Sequence, residues 1–160
     1  MKFKAYKTLF AIGALALVLS ACKPEAIVLG PEPSKLDGIN DTFTLVEVTQ
    51  VDENARPGST KSMDVSAAFS SGTAATITFN SAAHTFSYSP GNAPDYIGAD
   101  GTWQFDNDDY PTKVTLTNGT VFDLRLLHTI RPQDEFLEVE LTRTCGGDAS
   151  VSYRYKFQRN

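Results

Sequence analysis

"FLEVELTRTCGGDASVSYRYKFQ", residues 136–158, decides the fold. In its first half Leu137, Val139 and Leu141 alternate with Glu138, Glu140 and Thr142. In its second half Val151, Tyr153, Tyr155 and Phe157 alternate with Ser152, Arg154, Lys156 and Gln158. A period of two sends successive side chains to opposite faces of an extended chain, so each half reads as a strand with one apolar and one polar face. The "CGGD" between them, residues 145–148, is a turn signal.

The same alternation recurs outward from this hairpin. "TKVTLTN" sets Val114 and Leu116 against Lys113, Thr115 and Thr117. "TITFN", "TFSYS" and "GTWQFD" turn Ile77/Phe79, Phe86/Tyr88 and Trp103/Phe105 inward, and "VFDLRLLH" does so with Phe122, Leu124 and Leu126. "TFTLVEVTQVD" at 42–52 is less regular, with apolar residues on both faces. Asn118-Gly119 lies between two strands and predicts a type I′ turn with both central residues at positive φ. "NDDYP" at 107–111 is another break. The one helix candidate is 62–69, with Ser62 as N-cap, inside the longest gap, 53–75. About eight strands with short connections imply antiparallel neighbours, because parallel strands need long crossovers. An all-β, single antiparallel domain follows. The simple strand-turn-strand order predicts an up-and-down barrel, which removes its edges by closure, with a β-sandwich as the alternative.

The first 21 residues read differently. Lys2, Lys4 and Lys7 precede an apolar run at 9–19, and no acidic residue comes before Glu25. This is the pattern of an export signal, and the run is shorter than the roughly 20 residues a membrane span needs. Leu19-Ser20-Ala21-Cys22 resembles the bacterial lipobox, in which lipid is attached to the cysteine sulfur and the chain is cut before it. The expected organisation is a lipoprotein signal peptide at 1–21, lipid on Cys22, a Pro-rich tether at 22–40 and a barrel at 41–160. Pro24, Pro31 and Pro33 favour an extended tether, and Ala26-Ile27-Val28-Leu29 within it either docks as an edge strand or stays solvated.

Of the 160 residues, cleavage removes 21, three lysines among them and no acid. The remaining 139 carry 11 Lys and Arg against 19 Asp and Glu, so the net charge moves from −5 to −8. That balance excludes a basic nucleic-acid face and adsorption to anionic lipid, leaving the lipid on Cys22 as the link to the membrane. With Cys22 used for lipid, Cys145 is left as a free thiol and no internal disulfide is possible.

Several of these stretches together resemble a known family. They are the lipobox, the Pro-rich segment, Leu36-Asp37-Gly38-Ile39, "TFTLVEV" at 42–48, "GTWQFD" at 101–106, "PTKVTLTNG" and the closing "YRYKF". In this order they resemble the lipocalin-like lipoproteins of Bacteroidota, a family without assigned function. Lipocalin-like chains tend to open with Gly-x-Trp. Here Asp41-Thr42-Phe43 stands in that place, and the one Gly-x-Trp comes at 101–103. The resemblance implies a lipocalin-like barrel in the cell envelope, lipid-anchored at the outer membrane, and no activity.

The residues that carry chemistry are few. His84 falls in a turn, where solvation is the default. His128 continues the inward register of Phe122, Leu124 and Leu126, as a pocket group or as a strand-end histidine. HExxH, CxxC, GxSxG and GxxxxGK(S/T) do not occur, so the sequence predicts no cofactor, no metal and no catalytic residue. A hydrolase working through His128 is the distant alternative. Asp106, Asp108 and Asp109 form either a calcium ligand set or a solvated turn. Tyr96 and Tyr110, in loops near Trp103, either stack on a glycan or cap the barrel. Tyr88, Trp103, His128, Tyr153 and Tyr155 are the candidate ligand-facing set. Nine inward aromatics, Phe79, Phe86, Tyr88, Trp103, Phe105, Phe122, Tyr153, Tyr155 and Phe157, bury about 150–250 Å² each and predict a mostly filled interior with a shallow mouth. The expected function is a non-catalytic binding or scaffold module. Its partner is left open between a small ligand, a glycan and an envelope protein, with a hydrophobic-ligand or glycan binder as the alternative and 53–75 as a lid.

Overall fold

Leu45 and Phe157 pair across the two strands that close the wall, and both are buried. The structure, a computed structural model, describes residues 30–69 and 72–160. Cys22 and the apolar patch at 26–29 lie outside the described residues.

In chain order the elements are α1 (Lys35–Ile39), β1 (Thr42–Asp52), β2 (Ser62–Asp64), α2 (Ser66–Phe69), β3 (Thr76–Asn80), β4 (Thr85–Ser89), β5 (Gly101–Phe105), β6 (Lys113–Thr117), β7 (Val121–Leu126), β8 (Phe136–Cys145) and β9 (Asp148–Arg159). All pairings are antiparallel between sequence neighbours from β3 to β9, and β1 pairs both β3 and β9. The sheet therefore closes on itself as an up-and-down, lipocalin-like barrel of eight strands, and the sandwich is set aside. Short β2 is the extra strand. It joins β1 through Thr49–Asp64, Gln50–Met63 and Val51–Ser62, on the edge that β3 leaves free.

The alternating register holds through most of the wall. Ile77, Phe79, Phe86, Trp103, Phe105, Val114, Leu116, Leu124, Leu126, Leu137, Val139, Leu141, Tyr155 and Phe157 are all buried. The mixed pattern of β1 has a local cause: its register against β9 shifts between Leu45 and Glu47. One extra residue at such a bulge flips the faces. Phe43 and Leu45 point inward before it and Val48 after it, while Val46 is left 41% exposed.

Three expectations need correction. First, residues 62–69 are not one helix. Ser62–Asp64 pair with β1, and only Ser66–Phe69 are helical. Ser62 is a strand residue, and Asp64 Oδ1 accepts from the Ser66 amide at 2.8 Å. The hydrogen-bonding edge of β1 outweighs the helical tendency of a short Ser/Ala run. Second, Asn118-Gly119 is not a type I′ turn. Gly119 has φ +94°, but Asn118 is not in the left-handed region, and the Asn118 amide bonds to Thr120 O at 3.1 Å. The turn of that type is at 146–147, where Gly146 and Gly147 have φ +65° and +99° between the paired Cys145 and Asp148. Third, Pro33–Asn160 form the barrel's compact unit, so the end of the expected tether belongs to it. Ser34 caps α1 by accepting from the Asp37 amide, and Ile39 is fully buried. Gly38 allows the approach: a Cβ there would stand 3.1 Å from the Arg131 backbone.

Candidate functional site

The barrel has two unlike ends, and they sort the candidate residues. One end is closed by α1, the 81–84 turn and the 106–112 and 127–135 connections. Its centre is Arg159, the last residue of β9. Arg159 Nη1 donates to Asp41 Oδ2 at 2.9 Å, Nη2 to the carbonyls of Gly38 at 2.7 Å and Arg131 at 3.2 Å, and Nε to the carbonyl of Asp134 at 2.9 Å. Its guanidinium also lies 4.9 Å over the Phe43 ring. One side chain thus ties the first strand, the N-terminal helix and the β7–β8 connection together. Burial works to raise the Asp41 carboxyl, but Arg159 and the Thr42 amide hold it below its ordinary value.

Trp103 belongs to this closed half. Its Nε1 donates to Asn80 O at 3.3 Å, and its ring meets Phe79 at 5.7 Å, Phe105 at 5.1 Å and His84 at 5.1 Å. His84 is thus exposed, as expected of a turn, and its ring also lies tilted against the tryptophan, at a positive-φ position. The Asp106 carboxylate accepts from the Thr112 amide and hydroxyl and from the Lys113 amide. The Thr112 hydroxyl leads in holding its pKa down at about 2. Asp106 thus organises its own turn. Tyr110, 74% exposed, is in the same connection.

The other end is the mouth. Here α2 brings Phe69 against Tyr96, Tyr153 and Tyr155 at 6.1–6.2 Å, and Tyr96 stacks on Tyr153 at 5.5 Å. The 90–100 loop that carries Tyr96 is latched by Asn118, whose Nδ2 donates to the carbonyls of Ile97 and Ala99 at 2.8 Å each. Tyr96 and Tyr110 therefore sit at opposite ends and cannot stack on one sugar. Burial, with Asp95 adding, pushes the Tyr88 hydroxyl up to about 12. Tyr155 is raised by burial first and then by Tyr88, Tyr96 and Tyr153, while Arg143 acts the other way. Among the described residues its hydroxyl is the one buried side-chain polar atom without a hydrogen-bond partner.

Of the five candidates, then, the structure gathers Tyr88, Tyr153 and Tyr155 at the mouth and places Trp103 in the closed half. His128 is displaced altogether. The inward register ends with β7 at Leu126, and the chain bends away so that Ile130 is the next buried residue. His128 is left outside, 45% exposed, with Nδ1 3.8 Å from Glu138 Oε2.

Two features of the wall had no clear sequence signal. Glu140 occupies an outward position yet is only 6% exposed, because Arg125 (Nη2–Oε1 2.6 Å) and Arg154 (Nε–Oε2 2.8 Å) cover it from both sides. Burial opposes its charge, but the Arg154 and Arg125 hydrogen bonds hold its carboxyl below the ordinary value. Beside it the wall opens. β7 and β8 pair at Arg125–Glu140 and Leu126–Val139 and no further toward the mouth. A cavity of about 770 Å³ occupies the seam, lined among others by Phe122, Asp123, Leu141, Thr142, Arg143 and Thr144.

No family model, curated protein or solved structure matches this chain.

Proposed function

We propose that this chain is a lipid-anchored lipoprotein of the cell envelope, held at the outer membrane through Cys22, and that its barrel is a non-catalytic binding or scaffold module akin to the lipocalin-like lipoproteins of Bacteroidota. The basic leader, the short apolar run and the lipobox support the anchor. The observation that carries the module reading is the filled interior. Phe43, Phe79, Trp103 and Phe105 pack edge to face in succession through the closed half. Phe69, Tyr153, Tyr155 and Phe157 continue the packing toward the mouth. Ring pairs at such distances fill an eight-stranded barrel with side chains, which moves recognition to its rim and wall. Cells fed radioactive palmitate test the anchor: label in the wild type and none in Cys22→Ala is expected, and equal label in both would refute it.

A second reading rests on the Tyr155 hydroxyl, buried without a partner beside Tyr88, Tyr96 and Tyr153. A buried unpaired hydroxyl is unfavourable, and a small polar-tipped ligand or a sugar entering at the mouth would satisfy it. Calorimetric titration with fatty acids, retinoids, haem and monosaccharides separates the two. Saturable micromolar binding that Tyr155→Phe weakens would favour the ligand binder; flat titrations favour the filled module.

A further inference from the structure

The β7–β8 seam is more than a gap between side chains. The Leu126 amide bonds back to Thr112 O, and the Leu127 amide bonds across to Glu138 O. In an antiparallel ladder the backbone groups of alternate residues point to the same side. On β7, Val121 and Asp123 therefore turn their N–H and C=O groups toward β8, as Arg125 does. On β8, Thr142 and Thr144 turn theirs toward β7, as Glu140 does. The pairing stops at Arg125–Glu140, so these four residues face one another with no ladder between them. All four line the 770 Å³ cavity. Two open strand edges facing one cavity form a template for a further strand, because edges left without partners recruit extended chain.

The side chains specify what that strand must carry. Phe122 and Leu141, on the inward register, give an apolar floor. Lys113 is held by Asp123 at 2.8 Å and Arg125 by Glu140 at 2.6 Å. Arg143 has no carboxylate partner among the described residues; its guanidinium rests 4.8 Å over the Tyr96 ring at the mouth side of the cavity. The lining thus has one cation in excess in a chain of net charge −5. From Val121 to Leu124 the open edge spans four residues, roughly 13 Å at the rise of a strand.

We infer that the seam accepts a short extended segment of a partner protein by strand addition. The segment has an apolar side chain over Phe122 and Leu141 and, two residues along on the same face, an acidic side chain that reaches Arg143. This rests on the binding-module reading and names its site and the chemistry of its partner.

The test uses the full-length protein in detergent and two fluorescent peptides, Thr-Val-Thr-Glu-Thr and Thr-Glu-Thr-Val-Thr, one for each strand direction, read by anisotropy. Saturable binding of at least one is expected. Methylation of its backbone nitrogens should abolish binding, since N-methyl groups remove the donors of the ladder. Exchange of its glutamate for lysine should weaken binding about tenfold or more, through like charge at Arg143. On the protein, Thr142→Pro removes a seam-facing N–H, and Arg143→Glu reverses the exposed charge without touching the core; each should weaken binding. No saturation of either peptide at about millimolar concentration, where strand recognition without pockets is still measurable, would overturn the inference. So would binding that N-methylation leaves unchanged. The palmitate result is independent: equal label in the wild type and Cys22→Ala would remove the anchor and leave the peptide binding standing, and the reverse outcome is equally distinguishable.

Discussion

The two ends of the barrel solve the same problem with opposite means. At the closed end one half-buried cation, Arg159, satisfies a carboxylate and three carbonyls and stacks on Phe43. At the mouth, Arg143 stacks on Tyr96 without a carboxylate among the described residues, the Tyr155 hydroxyl is unpartnered, and the wall between β7 and β8 is open. Both ends are rich in aromatics, so apolar burial does not separate them. Polar satisfaction does. The end where, among the described residues, no buried polar side chain lacks a partner holds the fold, and the end with open groups is left to bind.

Mutations matched across the two ends sharpen or break that contrast. The largest difference is expected from the phenylalanines. Phe43→Ala, at a fully buried site, should destabilise the protein by about 4 kcal/mol. Phe122→Ala, half-buried beside the seam, should lower stability by less than about 2 kcal/mol. Urea unfolding followed by Trp103 fluorescence measures both; equal losses would break the comparison. Next come the arginines. Arg159→Ala should lose about 3 kcal/mol, because it leaves a carboxylate and three carbonyls to find water. Arg143→Ala should lose about 0.5 kcal/mol, the scale of an exposed cation–π contact. Smaller still, and of opposite sign, Tyr155→Phe should raise stability by up to about 1 kcal/mol, since it deletes a buried hydroxyl that no partner satisfies. A loss from Tyr155→Phe would mean that the hydroxyl is bonded in solution.

The smallest effect is expected in acid. Asp41 at the closed end and Glu140 in the wall both have folded pKa values below their ordinary ones. A depressed carboxyl contributes stability that is present above its unfolded pKa and lost as the pH falls through its folded one. Stability should therefore fall as the pH drops below about 4, the range of unfolded carboxyls. Asp41→Asn and Glu140→Gln should each flatten part of that acid limb, read as the urea midpoint against pH. An acid limb unchanged in both variants would remove the ion pairs from the stability argument.

Much of the barrel was legible from period-two alternation, because half-buried strands write one face in apolar residues and the other in polar ones. The inward list from Ile77 to Phe157 follows from it directly. What failed were places where the signal depends on a neighbour remote in sequence. His128 fits the inward register of β7, but nothing in "LLHTI" says that the strand ends at Leu126. Val46 looked like noise in β1 until its partner strand exposed a bulge. Residues 62–64 have helical composition and become a strand only because β1 offers an edge. Glu140 reads as an outward carboxylate, and its burial comes from Arg125 and Arg154 on two other strands. The role of Arg159 and the opening of the seam leave no local trace at all: one is a convergence of four chain segments, the other an absence of pairing between two well-formed strands.

Native-state hydrogen exchange of single amides along β7 and at Leu127, the residue after it, tests the contrast most directly, because this one stretch contains both regimes. The Leu127 and Arg125 amides, on the paired side of the junction with β8, should be protected to nearly the global unfolding free energy. Asp123 and Val121, on the same strand and facing the open seam, should exchange orders of magnitude faster, together with Thr142 and Thr144 opposite them. Equal slow exchange at Asp123 and Leu127 would show a wall zipped to the mouth in solution and would contradict the division of the barrel into a satisfied end and an open one.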